Sequence, residues 1–247
     1  MSRNLAILQT FASHRIRLEE YYQVLGVLQI YLYWIVERKH SINSYHDDVI
    51  SGITMYSPLK HWKAVDGGQK MTIGIAGIGG LGTMGIKLAA ALGHRVVAIS
   101  SSDKKRELAT EKGAEGYVVS TDPESIMAEA GKLDLILNTI CNHHSLDPFY
   151  ALLATHGTLV NIGCIAAPMS YNQMAIIFRR LSISGSVVGG ISDTKEVLRF
   201  CAEKGVLPDV KVVTADKLDE VFTELQQNNA TGIRYVLDIE ASLDKGL

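Results

Sequence analysis

The amino-acid sequence predicts an α/β protein built on a doubly wound, mostly parallel sheet. Short β-rich runs alternate with helical patterns from Met71 onward, which is the order expected of βαβ units. The runs are nearly continuous in apolar residues, as strands covered on both faces must be. Between the first run and the first helix lies a glycine-rich stretch, GIAGIGGLGTMGIKLA, from Gly74 to Ala89.

Strands are predicted at 71–76 (MTIGIA), 95–100 (RVVAIS), 133–138 (LDLILN), 158–163 (TLVNIG) and 181–188 (LSISGSVV). Thr121 with Glu124, and Asp193 with Glu196, have the spacing of a capping box and predict helix starts. Gly93, Gly113, Gly131 and Gly205 stand where a left-handed residue closes a helix. Beyond Gly205 the runs DVKVV and IRYVLDI flank a helix expected at about 217–228, giving a strand-helix-strand extension. Residues 1–48 mix Tyr, His, Arg and Ile with no clear alternation. They are read as an atypical N-terminal segment ending near Asp47 and Asp48.

Gly77, Gly79 and Gly82 spell G-x-G-x-x-G directly after a strand and at the mouth of a helix. The first glycine permits the tight turn, the second lets backbone amides approach a pyrophosphate, and the third lets the helix pack on the strand. The helix N-terminus adds the positive end of a dipole. This context predicts a Rossmann dinucleotide-binding domain over 49–205, followed by the extension at 206–247. An NAD site carries an acid about 20 residues past the loop to accept from the ribose 2′-hydroxyl. Here the second strand closes on SSSDKKR, Ser100 to Arg106. Three hydroxyls and three cations suit a 2′-phosphate, since charge-assisted bonds to it contribute roughly 1.5–3 kcal/mol each. The alternative is a solvated first turn of the next helix with Asp103 as its cap.

The chain has 247 residues, a formal net charge of -2 and no clustered basic stripe, which argues against nucleic acid as a partner. Its three cysteines, Cys141, Cys164 and Cys201, form no CxxC pair, and a reducing, cytoplasmic setting is expected. The uncharged run from Tyr21 to Val36 would reach about 24 Å as a helix, short of the ~30 Å hydrocarbon core. A buried or interfacial helix is expected there rather than a membrane span.

GITMYSPLKHW, GIAGIGGLGTMGIKLA, SSSDKKRELA, ISGSVVGG and IRYVLDI resemble, in order, landmarks of the medium-chain, zinc-type alcohol dehydrogenases of the cinnamyl alcohol dehydrogenase branch. The resemblance covers about Gly52 to Leu243. It implies reduction of aldehydes with NADPH, or the reverse, and it implies roles residue by residue. Gly77, Ile78, Gly79, Gly80, Leu81 and Gly82 would hold the pyrophosphate, and Ser100, Ser101, Ser102 and Lys105 the 2′-phosphate. Thr54, Thr139, Gly163, Ser186, Val187 and Val188 would line the nicotinamide half. The 181–188 strand resembles the edge through which such proteins form homodimers.

The resemblance stops short of the family's catalytic domain. The GHE motif and the cysteine sets for zinc do not occur, and where the family has Cys-Ala-Gly this sequence reads Ile50-Ser51-Gly52. No catalytic residue and no metal ligand is therefore assigned, although zinc belongs to the family. Cys141, His143 and His144 share one loop, but their spacing matches no known ligand set. The expected function is the NADP(H)-binding portion of an alcohol dehydrogenase or aldehyde reductase, impaired as this chain alone. A non-catalytic NADPH-binding or dimerising module and a zinc-independent reductase are the alternatives. Residues 1–48 are expected to cover apolar surface of the 206–247 extension or to stay disordered.

Overall fold

The structure, a computed structural model, describes residues 51–65, 68–165, 167–226, 232–238 and 241–242. The expectations for 1–48, including the apolar run at 21–36 and the boundary near Asp47 and Asp48, lie outside the described residues. Those described fall into two compact units, one of residues 51–208 with Gly232, the other of residues from 209 onward.

The first unit holds six strands: β1 Thr72–Ala76, β2 Arg95–Ser100, β3 Gly116–Val119, β4 Leu133–Asn138, β5 Leu153–Asn161 and β6 Ser182–Gly185. All pair in parallel, in the order β3-β2-β1-β4-β5-β6, so the predicted doubly wound sheet is present. Its helices are α1 Ile53–His61, α2 Gly80–Ala91, α3 Arg106–Glu111, α4 Pro123–Glu129, α5 Asp147–Leu152, α6 Gln173–Arg179 and α7 Ile191–Lys204. Strand periodicity sorts the core onto two faces. Ile73, Ile75, Val96, Ala98, Leu135, Leu137 and Val160 pack with residues of α1, α2 and α7. Val97, Ile99, Ile136 and Leu159 pack with Phe149, Tyr150 and Leu152 of α5. Strand order reverses between β1 and β4, which opens a crevice beyond their carboxyl ends.

Several elements differ from expectation. β3 escapes the pattern because it is four residues long and only Val118 in it is fully buried. β5 begins at Leu153, ahead of the predicted 158, because Leu153 pairs with Leu133 before the register shifts. β6 ends at Gly185, so 186–188 are not strand: its last partner is Asn161, and Ser186 N donates to the Asn161 carbonyl at 3.0 Å. Neither capping box forms. Asp122, not Thr121, caps α4 by accepting from Glu124 N at 3.0 Å, and the Thr121 hydroxyl donates to the Ser101 carbonyl. α7 starts earlier, after Gly190, and Asp193 and Glu196 instead accept from Lys60 at 2.9 and 2.5 Å, with Tyr56 Oη donating to Glu196 at 2.7 Å. The four helix-closing glycines all have positive φ, as predicted.

The second unit is smaller. β7 Val210–Val213 and β8 Arg234–Leu237 pair in parallel, and α8 Leu218–Gln226 lies between them in sequence. Val221 and Tyr235 are its buried centre, with Val213, Phe222 and Leu225 packed around them. The expected strand-helix-strand extension is thus formed.

Arg95, at the start of β2, grips Glu129 at the end of α4 through two parallel bonds of 3.0 and 2.8 Å. The Arg95 guanidinium holds the Glu129 carboxyl below its ordinary value of 4.5. A depressed carboxylate stabilises the fold above its unfolded pKa and loses that contribution as pH falls through the folded value. In Glu129→Gln, stability at neutral pH should drop by about 1 kcal/mol, an amount kept small because Arg95 is part-exposed. The gap between variant and wild type in urea titrations should close as pH is lowered below 4.5.

Candidate functional site

The glycine loop is defined by one backbone contact. Gly77 has φ +88°, and a Cβ there would lie 2.8 Å from Thr139 Oγ1. A Cβ on Gly82 would overlap the Gly77 carbonyl oxygen. α2 therefore starts against the turn that ends β1, in a space open only to glycine. Gly79 caps α2 with extended backbone and no side-chain bond, and no acid lies in the first turn. The amides of Gly80, Leu81 and Gly82 precede any intrahelical acceptor, so this N-terminus presents donors and the positive dipole end to the crevice.

The turn after β2 comes to the same place. Lys105 donates through Nζ to the Ile78 carbonyl at 2.8 Å, joining the serine turn to the glycine loop, and burial pushes its ammonium pKa down. Ser101 and Ser102 are fixed through their carbonyls, which accept from Thr121 Oγ1 at 3.0 Å and Tyr117 Oη at 2.7 Å. Their hydroxyls, and that of Ser100, have no hydrogen-bond partner among the described residues. Asp103 does not cap a helix. It starts a 3-10 turn and its carboxylate pairs with Arg106 at 2.6 Å, while Arg106 lies 4.6 Å over the Tyr117 ring. The one acid in the turn is thereby matched, which leaves the turn net positive.

The remaining predicted residues collect at the carboxyl ends of β1, β4, β5 and β6. Thr139 donates from Oγ1 to the carbonyls of Ala76 and Gly77 at 2.9 and 3.1 Å, tying β4 to β1 at the switch point. A Cβ on Gly163 would overlap the Ile140 carbonyl. Ser186, Val187 and Val188 follow β6, and the next residue, Gly189, abuts Ile53 and Ser57 of α1. Thr54, buried in the first turn of α1, is adjacent in sequence to that contact.

A polar network beneath these loops has no counterpart in the sequence reading. Buried Asn138 donates from Nδ2 to Asn161 Oδ1 at 3.0 Å and meets His144 Nε2 at 3.0 Å, while His144 Nδ1 faces the Asn142 carbonyl at 2.7 Å. With Nδ1 donating to the carbonyl and Nε2 accepting from the amide, both ring nitrogens are engaged. Two asparagines at one register position of adjacent strands are the signal that would have revealed it.

These residues do not suit a zinc ion. The described residues contain no group of three His, Cys, Asp or Glu able to hold a metal, and His144 is held by the network above. Cys141 donates from Sγ to the Thr139 carbonyl at 3.6 Å. Nor is any helix of the described residues long and apolar enough to cross a membrane.

Residues 80–203 match the family model of the zinc-binding dehydrogenases. A probable cinnamyl alcohol dehydrogenase of Populus deltoides is 42% identical over 193 residues, 78% of this chain and 53% of the relative. Among solved structures, a cinnamyl alcohol dehydrogenase of Sorghum bicolor aligns with a TM-score of 0.76 and 33% identity, over 82% of this chain and 57% of the other. The CAD of Helicobacter pylori, solved with NADP(H), aligns with a TM-score of 0.71 and 26% identity, over 84% and 58%. The chain spans about half the length of the relatives it matches.

Adding one methyl at Gly82 should break the loop contact, because the obstacle is a backbone carbonyl that cannot rotate away. Gly82→Ala is expected to lose at least about 2–3 kcal/mol, read as a lowered midpoint in urea unfolding. Gly93→Ala, where nothing lies within 4 Å, should cost no more than the strain of its positive φ.

Proposed function

The chain belongs to the zinc-binding dehydrogenases, in their cinnamyl alcohol dehydrogenase branch, and on that premise we propose that it binds NADP(H) as the nucleotide-holding portion of an alcohol dehydrogenase or aldehyde reductase. The observation that carries this reading is Lys105 bonded to Ile78, which puts a cation between the serine turn and the glycine loop. The bound nicotinamide would supply or accept the hydride exchanged with an aldehyde or alcohol.

The roles divide by position. The loop of Gly77, Ile78, Gly79, Gly80, Leu81 and Gly82, through the leading amides of α2 and the α2 dipole, would hold the pyrophosphate, while the Gly77 amide stays bonded to the Ile99 carbonyl at 3.0 Å. Ser100, Ser101, Ser102 and Lys105 would hold the 2′-phosphate. Lys105 loses little on giving up a carbonyl acceptor for a dianion, because a charged acceptor binds an ammonium more strongly. Thr139, Gly163, Ser186, Val187, Val188 and Thr54 would line the nicotinamide half, where α1 and the loops after β4 to β6 meet. No group among these residues polarises a carbonyl. The chain alone is therefore expected to bind the nucleotide with little turnover.

β6 closes one side of the sheet, with Ile183, Val187 and Val188 exposed near its free edge. An uncovered apolar edge favours strand addition, and a homodimer across β6 is the proposed assembly.

Titration of NADPH and NADH into wild type and Lys105→Ala checks the assignment. The wild type should prefer NADPH. Loss of one charge-assisted bond should weaken NADPH roughly tenfold or more and leave NADH nearly unchanged. Equal weakening of both nucleotides would mean that Lys105 supports the loop without reading the 2′-phosphate.

A further inference from the structure

Cys141 and Cys164 follow the neighbouring strands β4 and β5 on the crevice side. β4 and β5 run in parallel with Asn138 opposite Asn161, and Cys141 and Cys164 each lie three residues beyond this pair. The chains stay together beyond the strands. Ile162 and Gly163 both donate to the Asn138 carbonyl, at 2.8 and 3.0 Å, and Gly163 abuts the backbone of Thr139 and Ile140. Burial is the main influence on the Cys141 thiol and pushes its pKa up, and Cys164 is the other residue that acts on it. A disulfide spans a Cα separation of roughly 4.4–6.8 Å, and Gly163, the neighbour of Cys164, is packed on Ile140, the neighbour of Cys141. Both residues are exposed, in contrast to Cys201.

We propose that Cys141 and Cys164 are a redox-responsive thiol pair, which closes a disulfide across the carboxyl ends of β4 and β5 when a hydroperoxide reaches the crevice. The two sulfurs differ in surroundings. The Cys141 sulfur donates to the Thr139 carbonyl at 3.6 Å, and burial pushes its thiol pKa up. Cys164 reacts first: its thiolate attacks hydrogen peroxide and takes one oxygen, breaking the O–O bond and giving a sulfenic acid and hydroxide. The Cys141 thiol gives up its proton and attacks that sulfur, so that the S–S bond forms as the S–O bond breaks and water leaves. Two thiols and one peroxide become one disulfide and two waters. A dithiol reverses the step by exchange.

The consequence rests on the NADP(H) reading. Thr139 and Gly163 lie just ahead of the two cysteines, in the loops assigned to the nicotinamide half. A bond between Cys141 and Cys164 pulls those loops together and should reduce nucleotide affinity.

The test uses the full chain, reduced and then exposed to hydrogen peroxide, with peptide mapping by mass under non-reducing conditions and NADPH titration before and after. A Cys141–Cys164 linked peptide is expected, absent in both Cys164→Ser and Cys141→Ser, with Cys201 unmodified. NADPH should weaken roughly tenfold and recover with dithiothreitol. Sulfinic acid at Cys164, or links only between molecules, with no Cys141–Cys164 peptide, would overturn the pair. A linked peptide with unchanged NADPH affinity would overturn the coupling to the nucleotide. If the reduced protein binds no NADPH, the nucleotide reading fails, and the linked peptide alone decides the thiol pair.

Discussion

Everything at the crevice depends on Gly82 resting against the carbonyl of Gly77. That contact brings the first turn of α2 onto the end of β1 and leaves the leading amides of the helix facing outward with no capping side chain. An N-terminus of this kind with neither cap nor acid is an unsatisfied set of donors, and an anionic ligand satisfies it. Thr139 braces the same turn from β4, so the two strands flanking the switch point are held together by side chain as well as by ladder.

On the proposed reading, charge then selects among anions. The turn after β2 neutralises its own acid through the Asp103 and Arg106 pair and keeps Lys105 directed at the loop. Its serine hydroxyls stay uncommitted because the neighbouring carbonyls, not the side chains, tie the turn to β3. A site built for an unphosphorylated ribose carries a carboxylate acceptor here; this one offers donors. Donors for phosphate are abundant at the crevice, while no group of three metal-ligating side chains is found among the described residues.

Much of this was legible in the amino-acid sequence. Buried strands read as continuous apolar runs, and β1, β2 and β4 fall where those runs lie. The glycine spacing is legible because only glycine fits where backbone crosses backbone. β3 was not legible, since a four-residue edge strand with one buried residue has no pattern to show. The two capping boxes failed for a physical reason: the Asp193 and Glu196 carboxylates are claimed by Lys60, more than a hundred residues away in sequence, and Asp122 is closer to its helix than Thr121. The Asn138, Asn161 and His144 network depends on strand register, which becomes visible only once β4 and β5 are paired.

The most direct test of the proposed 2′-phosphate selectivity uses the adenosine end alone. Calorimetric titration of 2′-phospho-ADP-ribose and of ADP-ribose removes the nicotinamide and any turnover from the question. Tighter association of the 2′-phosphorylated fragment, by roughly tenfold or more, is the predicted result. Equal affinity for the two, or no heat with either, would contradict it.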